Sequence, residues 1–128
     1  MFLDYAGIRV TNLAKAVRFY THALGLVERQ RGRMEHGGVW VLMEDRISHQ
    51  QLELNWYPKG SKYATPYTAG EGLDHLGVRV PDIAAAGRRL RAAGARKVEE
   101  IRRRGKPVLA YWEGPDGIWI ELIPTVGA

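Results

Sequence analysis

The stretch LDYAGIRV at residues 3–10 returns as LDHLGVRV at residues 73–80, with the same spacing of leucine, aspartate, glycine, arginine and valine. A second echo lies nearer the end of each half, where QLEL at 51–54 is matched by WIEL at 119–122. Two echoes in nearly one register predict an internal duplication.

Each copy of the repeat opens with a predicted strand, because apolar and other residues alternate with a period of two. A helix follows in each half. Asn12 is a suitable cap for a helix over 13–24, and Asp82 for a helix over 83–93, and a glycine follows each helix.

Three more strands are predicted after each helix, separated by turn-forming segments. They lie at about 26–34, 38–44 and 49–56, and at about 96–103, 107–113 and 117–123. The pattern predicts an α+β fold of two tandem βαβββ modules in a single domain over 1–128. Module one spans about 1–57, a linker rich in Gly, Pro, Ser and Thr spans about 58–72, and module two spans about 73–124.

The composition excludes several classes of function. The 128 residues include no cysteine, so disulfides, thiolate metal sites and a cysteine nucleophile are ruled out. The net charge of +5 is concentrated in a basic run at about 88–106, which is typical of a solvated surface and carries no nucleic-acid motif. No apolar segment is long enough to cross a bilayer. We expect a cytoplasmic protein with neither nucleic acid nor membrane as a partner.

The free face of each sheet is expected to line a cavity, since a helix covers only the other face. Chemically capable side chains of the opening and closing strands share this free face. They are Tyr5, Arg9, Glu53, Asn55, His75, Arg79, Trp119 and Glu121.

A metal site is one interpretation of this face. Glu53 and Glu121 occupy matching positions within apolar strands, where a carboxylate is costly to bury without a cation. With His75 they form a donor set that suits a divalent metal such as Ni, Co, Zn, Mn or Fe. The alternative is structural, with Glu53 paired to Arg9 or Arg79 and His75 hydrogen-bonded in the core.

The openings DYAGIRVTNLAKAVRFYTHALGL and DHLGVRVPDI and the endings QLELNWYP and YWEGPDGIWIELI resemble the vicinal oxygen chelate superfamily, which includes glyoxalase I, extradiol dioxygenases and bleomycin-resistance proteins. Within it, LELNWYP and the glutamate in both closing strands make the chain most similar to bacterial glyoxalase I (lactoylglutathione lyase) relatives. The resemblance implies an open, U-shaped β sheet around a cavity and a small-molecule substrate.

Carried over by position, the resemblance implies metal ligands at Glu53, His75 and Glu121, and puts Tyr5 where glyoxalase I has its other histidine. A neutral phenol is a poor ligand. The alternatives at Tyr5 are a phenolate ligand, a hydrogen bond to a metal-bound water, and a pocket without a catalytic metal.

The resemblance also implies a reaction, with the hemithioacetal of a 2-oxoaldehyde and glutathione as substrate. The metal would stabilise an enediolate, while Glu121 or Glu53 moves a proton between neighbouring carbons. Arg9 would neutralise a glutathione carboxylate. The further substrate contacts expected are Asn55, Arg79 and Trp119, with a salt bridge across the sheet as the alternative role of Arg79.

Two other functions fit the same superfamily. A non-catalytic binding protein of bleomycin-resistance type would use the cavity without a metal, and two carboxylates there would suit a cationic ligand. An extradiol dioxygenase fits less well, because it would hold iron with two histidines and one glutamate, and Tyr5 leaves one of those histidines. In each case we expect a homodimer, since a cavity between two small sheets usually needs a second chain to complete its walls.

Overall fold

Each half of the computed structural model has the order βαβββ. The first module contains β1 (Ala6–Arg9), α1 (Leu13–His22), β2 (Val27–Arg33), β3 (Val39–Glu44) and β4 (Gln51–Trp56). The second contains β5 (His75–Val80), α2 (Ile83–Ala92), β6 (Arg96–Arg103), β7 (Lys106–Glu113) and β8 (Trp119–Pro124), with a short 3₁₀ turn at Pro115–Gly117. The predicted α+β fold of two βαβββ modules is confirmed.

The structure describes residues 4–35, 37–61, 64, 66–70, 73 and 75–125. Leu3 and Asp74 of the repeated stretch, the two ends of the chain and several linker residues lie outside the described residues. Neither helix in the described part is long and apolar enough to span a bilayer.

Both helices begin at the caps that the sequence predicts. The Asn12 side chain accepts a hydrogen bond from the Lys15 backbone N–H at 3.0 Å, and the Asp82 side chain accepts one from the Ala85 N–H at 3.0 Å. Each cap satisfies a backbone donor that the first helical turn leaves free. The same sequence signal therefore places a helix directly after β1 and after β5.

The two sheets have matching strand orders, β1-β4-β3-β2 and β5-β8-β7-β6. In each sheet the opening strand runs parallel to the closing strand, and the other neighbours are antiparallel. The register places Gly7 beside Glu53 in one sheet and Gly77 beside Glu121 in the other. Residues far apart in the sequence thereby become lateral neighbours on one face.

The opposite face of each closing strand is packed in the core. Leu52 and Leu54 are buried in β4, and Ile120 and Leu122 in β8. Because side chains alternate between the two faces of a strand, this burial turns Glu53 and Glu121 away from the core. The inward-facing residues of both closing strands therefore belong to the core.

The closing strands are shorter at their start than predicted, because turns precede them. Before β4, the Asp45 carboxylate accepts hydrogen bonds from the backbone N–H groups of Ile47 and Ser48 at 2.9 and 2.8 Å. His49 then adopts a positive φ of 62°, so regular pairing begins two residues later. Before β8, Asp116 has the same φ of 62° in the 3₁₀ turn.

Asp116 joins the second module to the rest of the chain. Its carboxylate accepts hydrogen bonds from the backbone N–H of Thr11, at 3.0 Å, and from the Thr11 hydroxyl. Its backbone carbonyl accepts from the Tyr67 hydroxyl at 2.7 Å and the Gly70 N–H at 3.1 Å. Burial, and then the negative charge of Asp116, raise the pKa of Tyr67, which keeps its hydroxyl a neutral donor.

Gly117 lies in this junction, where the linker backbone leaves no room for a side chain. Its φ is +71°, and a Cβ atom there would lie 2.9 Å from the Gly70 backbone nitrogen. We predict that Gly117→Ala destabilises the protein more than Gly105→Ala. Gly105 has a similar φ of +75° but no atom within 4 Å of a Cβ.

Both substitutions impose a left-handed conformation on alanine, which costs about 1–2 kcal/mol. Gly117→Ala adds an overpacking cost of roughly 1–3 kcal/mol. Urea unfolding of the two variants measures the difference. Equal losses of unfolding free energy would show that the contact between Gly117 and the linker contributes nothing.

Candidate functional site

A cavity of about 530 Å³ lies on the free face of the second sheet. Strands β5, β7 and β8, the 3₁₀ turn and the end of the linker form its walls. It is lined by Ala69, Gly70, His75, Tyr111, Glu113, Gly117 and Trp119. Two of the predicted site residues, His75 and Trp119, therefore face a common space.

His75 and Glu121 form the closest pair of predicted site residues. His75 Nε2 lies 3.1 Å from Glu121 Oε2, and the two side chains are 40% and 17% exposed. The pair is diagonal, because Trp119 lies directly beside His75 and Gly77 directly beside Glu121. Since glycine has no side chain, nothing at position 77 stands between the imidazole and the carboxylate.

Tyr111 is a site residue that the sequence analysis did not identify. Its hydroxyl lies 3.4 Å from Glu121 Oε1, a longer and weaker contact than the distance of about 2.5–3.0 Å usual for O–H···O hydrogen bonds. Its ring meets the His75 ring edge-on at 6.4 Å and lies 5.9 Å from the Trp119 ring. A signal was present in the sequence, because GPDG predicts a tight turn that brings β7 back along β8.

Glu113 also lines the cavity without having been predicted. It lies opposite Trp119 across the β7–β8 pairing, and its carboxylate binds Arg96 Nη2 at 2.6 Å. An exposed ion pair of this kind contributes little to stability. Because Arg96 already compensates its charge, Glu113 is a weaker metal-ligand candidate than Glu121.

The predicted residues of the first module lie on the strands of the other sheet or, for Tyr5, just before them. Glu53 is partly buried, and its carboxylate forms no ion pair with any residue in the described ranges. The Asn55 amide donates to the backbone carbonyls of Ile8 and Glu53, both at 3.4 Å. Tyr5 precedes β1 and is 44% exposed. Within the part of the chain that the structure describes, the Glu53 carboxylate therefore has no neighbouring cation.

The two predicted arginines, Arg9 and Arg79, contact an aromatic ring and a backbone carbonyl, respectively. The Arg9 guanidinium lies 5.4 Å over the ring of Tyr67, in the linker. Arg79 Nη1 donates to the Pro124 carbonyl at 3.0 Å. The structural alternative, in which Glu53 pairs with one of these arginines, is therefore absent from the described part of the molecule.

Within one chain the predicted ligands do not form a single cluster. Among the described residues, no group of three or more His, Asp and Glu side chains is placed to hold a metal ion. The structure brings His75 to Glu121 but does not bring Glu53 to them. The candidate ligands of one chain are divided between the two sheets, with His75 and Glu121 on one and Glu53 on the other.

The side chains nevertheless fit a divalent metal in their chemistry. The His75 imidazole lies next to the Glu121 carboxylate, and on the other sheet the partly buried Glu53 carboxylate has no ion-pair partner among the described residues. Imidazole and carboxylate donors suit first-row divalent metals. Uncompensated carboxylates in a partly buried setting favour a cation. The donor atoms therefore suit a divalent metal, but His75 and Glu121 lie on one sheet and Glu53 lies on the other.

Comparison with known proteins gives consistent matches over almost the whole chain. The family model described as Glyoxalase/Bleomycin resistance protein/Dioxygenase superfamily matches residues 2–122. A probable lactoylglutathione lyase of Synechocystis sp. is 31% identical over 98% of this chain and 96% of its own length. The lactoylglutathione lyase of Neisseria meningitidis serogroup A is 32% identical over 96% of this chain and 90% of its own.

A solved structure shares the fold. The glyoxalase family protein from Bacillus cereus superposes with a TM-score of 0.77 at 26% identity, covering 99% of this chain and 95% of that one. The match extends across both βαβββ modules, so the duplicated architecture is common to the two proteins.

Proposed function

We propose that this chain, which belongs to the glyoxalase/bleomycin resistance protein/dioxygenase superfamily, is a cytoplasmic, metal-dependent lyase of the lactoylglutathione lyase type. Its substrate would be the hemithioacetal of a 2-oxoaldehyde and glutathione. The observation that carries the proposal is the His75–Glu121 pair at the cavity, together with Glu53 at the matching position of the other module. The names of the two curated relatives support the reaction.

His75, Glu121 and Glu53 are the residues that would hold the metal. A divalent ion such as Ni, Co, Zn, Mn or Fe would polarise the substrate oxygens and stabilise the negative charge that develops on them. His75 and Glu121 would bind from β5 and β8, and Glu53 from β4. Tyr5 would take the fourth position, where a phenol is a poorer metal donor than the imidazole of a histidine.

The proposed reaction is an isomerisation that needs no oxidant. One proton leaves the carbon that carries the sulfur and the hydroxyl, and a proton is returned to the neighbouring carbonyl carbon. The hydroxyl proton passes to the oxygen of that carbonyl, so the first carbon becomes the thioester carbonyl and the second becomes the alcohol. Glu121 and Glu53 are the carboxylates available to move the carbon-bound proton. Arg9, Asn55, Arg79 and Trp119 are the proposed substrate contacts, with Trp119 the one that lines the described cavity.

We further propose that the complete site is shared between two copies of the chain in a homodimer. Glu53 of one copy would meet His75 and Glu121 of the other. The support is the division of the ligand set, because the described residues of one chain bring no three candidate ligands together. A second chain with the same surface supplies the missing half of each site by symmetry.

The proposal predicts that Glu121→Gln and Glu53→Gln each lose lyase activity. Each glutamine keeps the shape of the side chain but can neither carry the proton nor bind a cation as a carboxylate does. We expect kcat to fall roughly 10²–10⁴-fold, the usual contribution of a general acid–base group. Methylglyoxal with glutathione is the assay substrate, and each added metal is tested in turn.

Glu100→Gln is the matched control for this assay. The Glu100 carboxylate binds Lys97 at 2.9 Å and Arg102 at 2.7 Å on β6, outside the cavity. Its activity should equal that of the wild type. If the wild-type protein neither binds a metal nor turns over the hemithioacetal at high enzyme concentration, the proposed lyase function is refuted. Tight binding of a bleomycin-like cation to the metal-free protein would then favour the binding-protein alternative.

The shared site predicts complementation between two inactive variants. In a mixed dimer of Glu53→Gln and Glu121→Gln chains, one site carries both substitutions and the other carries neither. After unfolding and refolding an equal mixture, about a quarter of wild-type activity should return, because half the dimers are mixed and half their sites are intact. Each variant refolded alone is the control. No recovery from a mixture that forms dimers would place the whole site within one chain.

Tyr5 gives a separate prediction about metal affinity. We expect Tyr5→His to bind Ni²⁺ and Zn²⁺ more tightly than the wild type, because neutral imidazole is a better donor than a neutral phenol. Tyr5→Phe should leave the affinity unchanged. Isothermal titration of both variants measures this, and a marked loss of affinity in Tyr5→Phe would show that the tyrosine itself is a ligand.

A further inference from the structure

We infer that Tyr111 is a positioning residue of the site, which holds the Glu121 carboxylate and the His75 imidazole in the arrangement that receives the metal. The inference rests on the proposed function, because it names a further residue of that same site. Tyr111 is not itself placed among the ligands.

The first argument is that two different strands approach the two oxygens of one carboxylate. Tyr111, on β7, lies 3.4 Å from Oε1 of Glu121, and His75, on β5, lies 3.1 Å from Oε2. Tyr111 is also directly opposite Glu121 in the β7–β8 pairing, so its hydroxyl reaches the carboxylate along the face of the sheet. Contacts to both oxygens restrict rotation of the carboxylate about its terminal torsion, which is otherwise broad.

The second argument comes from the ring. Tyr111 presents an edge-to-face contact to His75, with an interplanar angle of 87°, and its other neighbour is Trp119 at 5.9 Å. Aromatic pairs in this geometry are attractive beyond their buried area. The ring therefore restricts the plane of the imidazole while the hydroxyl restricts the carboxylate. One side chain acts on both ligands.

The third argument is the contrast between the modules. Leu42 is the residue directly opposite Glu53, as Tyr111 is opposite Glu121. The leucine side chain has no hydrogen-bond donor, so position 42 offers the Glu53 carboxylate no such support. Equivalent backbone positions thus give the two carboxylates different freedom, and only the second-module carboxylate lies beside a histidine in the described structure.

The test compares the metal affinities of two Tyr111 variants with that of the wild type and of a control tyrosine variant. Tyr111→Phe removes the hydroxyl and keeps the ring, and Tyr111→Leu installs the residue of the first module. We expect Tyr111→Phe to bind Ni²⁺ and Zn²⁺ about 10–100-fold more weakly than the wild type, the usual effect of losing a group that orients a ligand. Tyr111→Leu should lose more. Isothermal titration of the metal-free proteins measures the affinities.

Tyr20→Phe is the matched control. The Tyr20 hydroxyl is buried and has no hydrogen-bond partner in the described structure, so its removal tests the loss of a tyrosine hydroxyl elsewhere in the fold. Its metal affinity should equal that of the wild type. Wild-type affinity in Tyr111→Phe would overturn the inference, as would an equal loss in Tyr20→Phe.

A double-mutant cycle separates this inference from the proposed function. Thermal unfolding midpoints are measured without metal for Tyr111→Phe, Glu121→Ala and the double variant. The midpoint shift caused by Tyr111→Phe should shrink when Glu121 is absent, because the hydroxyl then has nothing to hold. Additive shifts would overturn the inference. Metal binding that depends on Tyr111 without lyase activity would refute the proposed reaction and support the role of Tyr111.

Discussion

The parallel pairing of each opening strand with its closing strand is the constraint on which the rest of the site depends. It places Gly7 beside Glu53 and Gly77 beside Glu121, although each pair is more than forty residues apart in the sequence. Because strands alternate between two faces, burying the leucines of β4 turns Glu53 outward by necessity. A shift of one residue in either register would bury the carboxylate and expose the core, which makes the site and the core interdependent.

The sequence predicts those parts of the fold whose signals are local. The caps Asn12 and Asp82 and the alternation within the strands each depend on a few neighbouring residues, and all appear in the structure. Tyr111 was missed because its role depends on which residue of β7 lies opposite Glu121, and a two-residue error in register would choose another side chain. The junction at Asp116 was missed for a related reason, since it joins Thr11 and Tyr67 through contacts without periodicity.

The two modules have matching strand orders but differ on the sheet face that is turned away from the core. Equivalent core positions are apolar in both modules: Leu52 and Leu54 are buried in the first, and Ile120 and Leu122 are buried in the second. The residues opposite the two closing glutamates differ, however: Leu42 lies opposite Glu53, and Tyr111 lies opposite Glu121. Close packing restricts substitutions in the core, whereas a residue facing a cavity has few neighbours to satisfy. The architecture is therefore shared by the two modules, while the side chains beside their closing glutamates differ.

Division of the ligand set links metal binding to assembly under the proposed two-chain arrangement. Bringing Glu53 towards Glu121 without a cation would place two carboxylates together in a partly enclosed cavity, where like charges repel strongly. A divalent ion removes this repulsion, so it would stabilise the dimer more than the separate chains. A ligand that binds one state preferentially shifts the equilibrium toward that state. The same two glutamates that would carry the chemistry would thus make a stable dimer depend on the metal.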